Sequence, residues 1–369
     1  MGEKIEIFAA VGLNGNVRWS EDGETWTTSG TAGSTTLLSV AWSPELGLFA
    51  AVGLNGNVRW SEDGKTWTTS GTAGSVHLRS IAWSPELGLF AVVGRDGNVR
   101  WSEDGKTWTT TGTAGSQQLN SVAWSPELEL FAAVGDFGNV RWSEDGKTWT
   151  DSGTAGSSRL WGVAWSPELE LFAAVGAGGA VRWSDDGKTW TDSGTAGSTE
   201  LRDVAWSPEL ELFAAVGNSG AVRWSEDGKT WTTTGTAGST LLYDVAYSPE
   251  LELFAAVGDS GAVRWSEDGK TWTDSGTAGS TSLFGVALGI TNYSIKGTVK
   301  LGVTLKENVT VRLIDQETSE IIDITTTNSN GVYRFNDLNP DKEYHVGFVE
   351  FEESGTKYTA RTLYDIKPK

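Results

Sequence analysis

The chain contains no cysteine among its 369 residues and only two histidines, His77 and His345. The absence of cysteine excludes disulfide scaffolds, thiol catalysis and thiolate metal sites. Two histidines leave little room for a histidine-based metal centre or a catalytic triad. The longest apolar runs are segments such as LFAAVG, far below the ~18 residues that a membrane span needs. We therefore expect no metal, no cofactor and no membrane insertion.

Positive charge is also scarce, because 28 Lys and Arg residues stand against 48 Asp and Glu residues, for a net charge of −20. An acidic surface of this size repels phosphate backbones, so we expect no nucleic-acid partner. The first residues, MGEKIEIFAAVG, carry charges where a signal peptide places its apolar stretch. No secretory signal is predicted.

Tryptophan is abundant, with 20 residues, and it recurs with a fixed period. Seven tryptophans follow one another at intervals of 41 residues: Trp19, Trp60, Trp101, Trp142, Trp183, Trp224 and Trp265. Each period contains four short β-type segments separated by turn residues, and no window carries a sustained helical pattern. Four strands in a unit of about 40 residues are typical of a β-propeller blade.

The phase of the repeat predicts how the ring closes. The chain opens on a second strand, at residues 5–12, and its last repeat ends on a first strand, at residues 285–289. Both ends therefore supply strands to one blade, which leaves no open sheet edge. We predict an all-β fold in which residues 1–289 form a seven-bladed β-propeller.

A turn that reads SEDGKTW in most copies recurs between the predicted third and fourth strands. It occupies residues 20–26, 61–67, 102–108, 143–149, 184–190, 225–231 and 266–272. This turn resembles the Asp-box, or BNR repeat, of sialidase-like propellers. Its Asp can accept backbone N–H groups, its Gly supplies a positive φ, and its Trp buries a flat surface between blades. We interpret it as scaffold.

Residues 290–369 lack the repeat and contain β-branched segments such as NVTVRLID and GVYRFNDL. The stretch NSNGVYRFNDL, residues 328–338, resembles the carboxypeptidase-regulatory-like, prealbumin-type β-sandwich. Together with the ending TARTLYDIKP, it resembles the C-termini of tailed-phage virion proteins, either tail or fibre-associated. We therefore predict a small Ig-like sandwich that mounts the propeller.

The Asp-box resemblance raises the question of sialidase activity, which needs three arginines from different blades, a Tyr–Glu nucleophile pair and an Asp acid. Arg18 recurs identically in all seven blades, so we interpret it as a structural cation that stacks on Trp or pairs with a glutamate of the SPEL turn. Only Tyr243 and Tyr247 lie within the repeats. We predict no enzymatic activity, since fold alone does not give function.

The seven copies differ mainly at a few positions. Position 36 and its equivalents carry seven residue types: Thr36, His77, Gln118, Arg159, Glu200, Leu241 and Ser282. Position 38 carries six: Leu38, Arg79, Asn120, Trp161, Arg202, Tyr243 and Phe284. The turn between strands two and three varies next, with Arg95, Asp136 and Phe137 among its members. In an up-and-down blade all these positions lie on one face, and positions 36 and 38 ring the channel mouth.

We interpret this face as a binding surface, with relaxed drift on a tolerant face as the other interpretation. Aromatic planes beside amide, carboxylate and guanidinium groups suit sugars, and they suit protein hot spots almost as well. Clustered cations would attract an acidic sugar. The candidate ligand-binding residues are His77, Arg79, Asn120, Arg159, Trp161, Glu200, Arg202, Tyr243, Phe284, Arg95, Asp136 and Phe137.

The sequence thus predicts a non-enzymatic recognition protein of a phage virion that binds a host-surface glycan, with the C-terminal domain docked on other virion proteins. We expect it to be made in the host cytoplasm and, as fibre-like proteins often are, to form a homo-oligomer. The alternatives are a purely structural or decoration virion protein and a relative of Asp-box photosystem-assembly factors. An engineered consensus origin for the near-identical blades also stays open.

Overall fold

The computed structural model describes residues 2–298 and, beyond them, the strand residues 300–301, 304–305, 310–315, 321–326, 332–338, 344–348, 351–353, 356–358 and 365–366. Two compact units make up the chain. One is Ile7–Gly289, and the other combines Met1–Glu6 with Ile290–Lys369. Among the described residues, none of the helices has the length and apolar character needed to cross a membrane.

The larger unit is a seven-bladed β-propeller, as the 41-residue period predicts. The first strands are Leu37–Ser43, Leu78–Ser84, Leu119–Ser125, Leu160–Ser166, Leu201–Ser207, Leu242–Ser248 and Leu283–Thr298. The second strands are Gly2–Gly12, Leu48–Gly53, Leu89–Gly94, Leu130–Gly135, Leu171–Gly176, Leu212–Gly217 and Leu253–Gly258. The third strands are Asn16–Ser20, Asn57–Ser61, Val99–Ser102, Asn139–Ser143, Ala180–Ser184, Val222–Ser225 and Ala262–Ser266.

Five blades have a regular fourth strand: Thr27–Thr31, Thr68–Thr72, Thr150–Thr154, Thr191–Thr195 and Thr273–Thr277. In the other two blades a single bridge takes its place, between Asn98 and Thr113 and between Ala221 and Thr236. Short 3-10 turns join the second and third strands: Leu13–Gly15, Leu54–Gly56, Arg95–Gly97, Asp136–Gly138, Ala177–Gly179, Asn218–Gly220 and Asp259–Gly261.

The core lies between neighbouring blades. Six of the second strands are buried along their whole length, as the continuous apolar run in Leu48–Gly53 requires, and so are residues 6–12 of the strand Gly2–Gly12. Phe49 and Ala51 pack with Ile7 and Ala9 of the preceding blade in one apolar cluster, and every other pair of neighbouring blades has an equivalent cluster. Adjacent blades therefore depend on each other for burial.

The ring closes through the two ends of the propeller. The strand Gly2–Gly12 lies beside the strand Leu283–Thr298 in one sheet. The N–H of Leu13 donates to the carbonyl of Ser282 at 2.9 Å, and Arg18 Nε donates to the carbonyl of Ala278 at 2.5 Å. These contacts confirm the predicted seven-blade closure.

The repeated arginines are structural, but their predicted partners are wrong. Arg59 Nε donates to the carbonyl of Ala32 in the preceding blade at 2.7 Å, and the same bond recurs in every blade. Lysines stack on the tryptophans instead, with Lys65 Nζ 4.0 Å from the Trp19 centroid. Four glutamates of the SPEL turns accept an indole N–H from the next blade: Glu45, Glu86, Glu127 and Glu168. Arginine takes the carbonyls because its rigid fork reaches several acceptors at once.

The SEDGKTW turns have the geometry that a scaffold role predicts. Asp63 Oδ1 accepts the backbone N–H groups of Lys65 and Thr66 at 2.8 and 2.6 Å, and it accepts the hydroxyl of Ser61 at 2.9 Å. Burial opposes ionisation of Asp63, but these hydrogen bonds outweigh burial and lower its pKa. Trp67 Nε1 donates back to the carbonyl of Gly64 at 3.1 Å.

The described part of the smaller unit is also built of strands. An antiparallel sheet has the order Ile321–Thr326, Thr310–Asp315, Tyr344–Phe348, Asp365–Ile366. The strand Val332–Leu338 pairs with residues 293–298. The remaining described strands form two hairpins, one of Lys300–Leu301 with Thr304–Leu305 and one of Phe351–Glu353 with Thr356–Tyr358. Residues 328–331 of the prealbumin-like motif lie outside the described residues.

Candidate functional site

A β-bulge at position 38 directs variable side chains into the central channel. In the second blade Leu37 pairs with Gly53 and Ser39 with Val52, so Leu38 is left without a partner. The same register shift occurs in five further blades. Bulges re-aim side chains in this way. The seven position-38 residues line one cavity of about 240 Å³, and they are Leu38, Arg79, Asn120, Trp161, Arg202, Tyr243 and Phe284.

The glycine that ends each second strand allows the bulge to form. A Cβ on Gly53 would lie 2.1 Å from the carbonyl oxygen of Thr36, which is too close for any side chain. The N–H of Leu54 donates to that same carbonyl at 3.0 Å. The equivalent glycine in every blade makes the same close approach. The backbone of the mouth is therefore constant, and only its side chains vary.

Position 36 and the variable turn meet at the rim of the mouth, as the topology predicts. The N–H of Asn14 donates to Thr36 Oγ1 at 3.3 Å, and the N–H of Asn55 donates to His77 Nδ1 at 3.2 Å. His77 thus joins its own blade to the turn of the preceding one. Arg95 is exposed at such a turn, 3.6 Å from the carboxylate of Asp96, and it does not line the channel cavity.

Asp136 is the centre of a polar network on one side of the mouth. It accepts from Arg159 Nε at 2.8 Å and from Asn120 Nδ2 at 3.0 Å. Asn120 Nδ2 also donates to the carbonyl of Leu160 at 2.9 Å, and its Oδ1 accepts from Gln118 at 2.8 Å. Asn120 has therefore used its amide groups within the protein, and it holds the wall in shape.

Trp161 is less open than the sequence indicates. The guanidinium carbons of Arg159 and Arg202 lie 4.9 and 4.6 Å from the centroid of its ring. Arg202 is also paired with Glu200 at 3.0 Å and donates to Asn218 at 3.1 Å. These cation–π contacts compete with sugar stacking on the indole.

The opposite side of the mouth is apolar. Tyr243 and Phe284 meet edge to face with their centroids 4.9 Å apart, and Leu38 follows in the next blade. Burial raises the pKa of Tyr243, with a smaller contribution from the negative charge of Asp259, so the phenol is neutral at pH 7. This wall offers flat hydrocarbon and one hydroxyl.

Arg79 stands between the two walls without a partner. No hydrogen bond or ion pair joins its guanidinium to another residue that the structure describes, and its buried Nε has no acceptor. Burial lowers its pKa, while the charge of Asp136 opposes that change. An arginine stays charged at neutral pH even so. The mouth therefore holds a guanidinium that has no direct counter-ion among the described residues.

Two channel aspartates were not among the predicted candidates. Position 39 reads Ser39, Ser80, Ser121, Gly162, Asp203, Asp244 and Gly285 around the ring. The bulge brings this position to the same cavity, below position 38. The two carboxyls hydrogen-bond to each other, and burial raises the pKa of both. The negative charge of Asp203 raises the pKa of Asp244 further. The sequence signal that could have identified them is the presence of aspartate at position 39 in two adjacent blades and in no other blade.

A second cavity of about 220 Å³ lies next to the channel and shares Trp161 with it. Phe137, Arg159 and Glu200 line this cavity. Phe137 is 64% exposed and has a φ of 58°. Among the residues that the structure describes, no group of three or more His, Cys, Asp or Glu side chains is arranged to hold a metal ion.

Comparison with known proteins gives the fold alone. The chain is similar to a solved structure described as the mitotic checkpoint complex, with 18% identity and a TM-score of 0.56 over 68% of this chain and 80% of that one. It is also similar to a structure described as YCF48 bound to D1 peptide, with 16% identity and a TM-score of 0.52 over 82% of this chain and 91% of that one. No family model and no curated protein matches the sequence.

Proposed function

We propose that this chain is a recognition protein that binds a glycan in the channel mouth of its propeller. The observation that carries the proposal is the concentration of sequence variation at one cavity. Seven otherwise near-identical blades place six different residue types at the bulged position, around a single space of about 240 Å³. Drift without selection would also alter the exposed SEDGKTW turns on the opposite face, and these are nearly constant.

The lining supports a sugar as the ligand. Sugars have C–H faces that stack on aromatic rings and hydroxyls that need paired donors and acceptors. The Tyr243–Phe284 pair supplies the first, while Arg79 and the Asp203–Asp244 pair supply the second. The adjoining cavity beside Phe137 has room for a further sugar unit of the same glycan.

The sequence resemblances extend the proposal to the whole protein. We propose that the SEDGKTW turns are Asp-boxes, which the hydrogen bonds to Asp63 support. The C-terminal unit would be a prealbumin-like sandwich that docks on other virion proteins, with the protein located in the virion of a tailed phage. The glycan would then belong to the host surface, and binding would need no catalysis.

The test is a binding screen against purified glycans and bacterial envelopes. The screen compares the wild type with the triple variant Arg79→Leu/Tyr243→Leu/Phe284→Leu. This variant gives three blades a leucine at the position that Leu38 occupies in the second blade. Lys106→Ala, on the SEDGKTW face, is the control. The proposal predicts binding by the wild type and the control, with loss in the triple variant and little change in melting temperature. Binding only to capsid or tail proteins would contradict it and favour a structural role.

A further inference from the structure

We propose that the glycan bound in the channel mouth is acidic, and that a sugar carboxylate pairs with Arg79. This inference rests on the proposed function and adds the chemical class of the ligand. The juxtaposition that carries it is an unpaired guanidinium in a cavity that is also lined by an apolar wall and by a pair of carboxyl groups.

Most of the arginines around the mouth are paired with acidic groups. Three arginines have carboxylate partners: Arg159 with Asp136 at 2.8 Å, Arg202 with Glu200 at 3.0 Å, and Arg95 with Asp96 at 3.6 Å. Arg79 has none among the residues that the structure describes. Because a charged group in a partly buried site needs a counter-charge and acceptors, the missing partner is expected to come from the ligand.

The groups around Arg79 favour a carboxylate as the anion that pairs with it. A carboxylate matches the planar fork of arginine and can accept two parallel N–H groups. The Asp203–Asp244 pair lines the same cavity. Negative charge on this pair repels a phosphate dianion more strongly than it repels a carboxylate, which has one charge. The same pair can accept hydrogen bonds from the hydroxyl groups of a sugar. A monoanion rich in hydroxyls satisfies both sets of groups.

The apolar wall begins in the blade next to Arg79. Leu38 is in the blade next to Arg79, and Phe284 and Tyr243 follow in that order around the ring. A sugar ring whose carboxylate meets Arg79 would therefore have its C–H face within reach of the wall. Uronic-acid and sialic-acid residues share this chemistry of one carboxylate on a hydroxylated ring.

The experiment compares matched probes by calorimetry. Oligogalacturonate is tested against its fully methyl-esterified form, in which each carboxylate is replaced by a neutral methyl ester. Sialyllactose is tested against lactose, which lacks the sialic-acid residue. Sulfated galactan serves as an anion of different geometry. We expect at least one acidic probe to bind about 10-fold or more tightly than its neutral partner, as a charge-assisted pair requires.

Two substitutions assign this preference to the residue. Arg79→Leu is expected to remove the preference for the acidic probe, and Arg79→Lys to restore part of it. Lys229→Ala removes one positive charge on the opposite face and is expected to change nothing. A preference that survives Arg79→Leu, or one that falls equally in Lys229→Ala, would overturn the inference.

The remaining outcomes separate the inference from the proposed function. Equal binding of acidic and neutral probes, or stronger binding of sulfated galactan, would overturn the carboxylate assignment and leave glycan binding in place. Failure of every glycan, including those in the broader screen, would overturn the proposed function itself.

Discussion

At the scale of single residues, the mouth contains side chains that the scaffold does not favour. Phe137 occupies the middle of its turn with a φ of 58°, where the equivalent residues are Asn14, Asn55, Asp96, Gly178, Ser219 and Ser260. Those small or polar residues tolerate the left-handed region, and a bulky aromatic residue does not. An exposed phenylalanine held in this strained conformation is what the proposed binding role of the position predicts.

Phe137→Asn is therefore expected to raise the free energy of unfolding by about 1 kcal/mol, because it relieves the strained φ. The same substitution should weaken binding of a longer glycan that reaches the adjoining cavity. Urea denaturation and calorimetry measure the two effects. Ser219→Asn, at the same place in another blade, is the control and should change neither. Destabilisation by Phe137→Asn would contradict this account of the turn.

The channel aspartates predict an unusual dependence of stability on pH. Burial raises the pKa of Asp203 and Asp244 above the ordinary 3.8, most for Asp244. The folded state therefore holds protons that the unfolded chain has released. The stability that the pair contributes is fully present below pH 3.8 and is lost as the pH rises through the raised values.

Asp203→Ser/Asp244→Ser copies the residue of three other blades and should increase stability more at pH 8 than at pH 4. Serine keeps an acceptor for the N–H of the next blade, as Ser80 Oγ does for Val122 at 3.2 Å. Denaturant unfolding at the two pH values, for wild type and variant, gives the comparison. A gain that is equal at both pH values would show that the pair does not retain a proton.

At the scale of elements, the bulge and its glycine determine which side chains reach the channel. The prediction from sequence located the variable positions but could not include Asp203 and Asp244. In a regular strand, positions 38 and 39 point to opposite faces, so only one of them would line the channel. The register shift beside Gly217 and Gly258 changes this, and it depends on backbone contacts that residue types do not report.

Gly94→Ala tests the bulge directly. The added Cβ would lie 2.2 Å from the backbone carbonyl of His77, so we expect a loss of about 2–4 kcal/mol in the free energy of unfolding. Gly88→Glu is the matched control, because its site is open and Glu129 has a φ of 51° at the equivalent position. The control should cost about 1 kcal/mol or less. Equal effects of the two substitutions would contradict the role given to Gly94.

At the scale of the whole molecule, the period of 41 residues was sufficient to predict seven blades and their closure. Hydrophobic pattern and turn chemistry agree in every copy, which is why this part of the fold could be read from the sequence. The pairing of side chains between blades could not be predicted from the sequence. The contact of Trp161 with Arg202 joins neighbouring blades, and it depends on a distance that appears only after folding.

The same limit applies to the choice among the arginines. Sequence variation marked Arg79, Arg159 and Arg202 alike, because all three lie at variable positions. Only the ion pairs of the folded ring separate the two neutralised arginines from the one that is available to a ligand.

The central claim is that the variable mouth binds and the constant scaffold does not. The most direct test replaces Arg79, Asn120, Trp161, Arg202, Tyr243 and Phe284 together by leucine, so that every blade repeats Leu38. Binding to the glycan or envelope that the wild type recognises is then measured beside circular dichroism and thermal melting. The account predicts a folded propeller that no longer binds. A folded variant that binds as tightly as the wild type would contradict it.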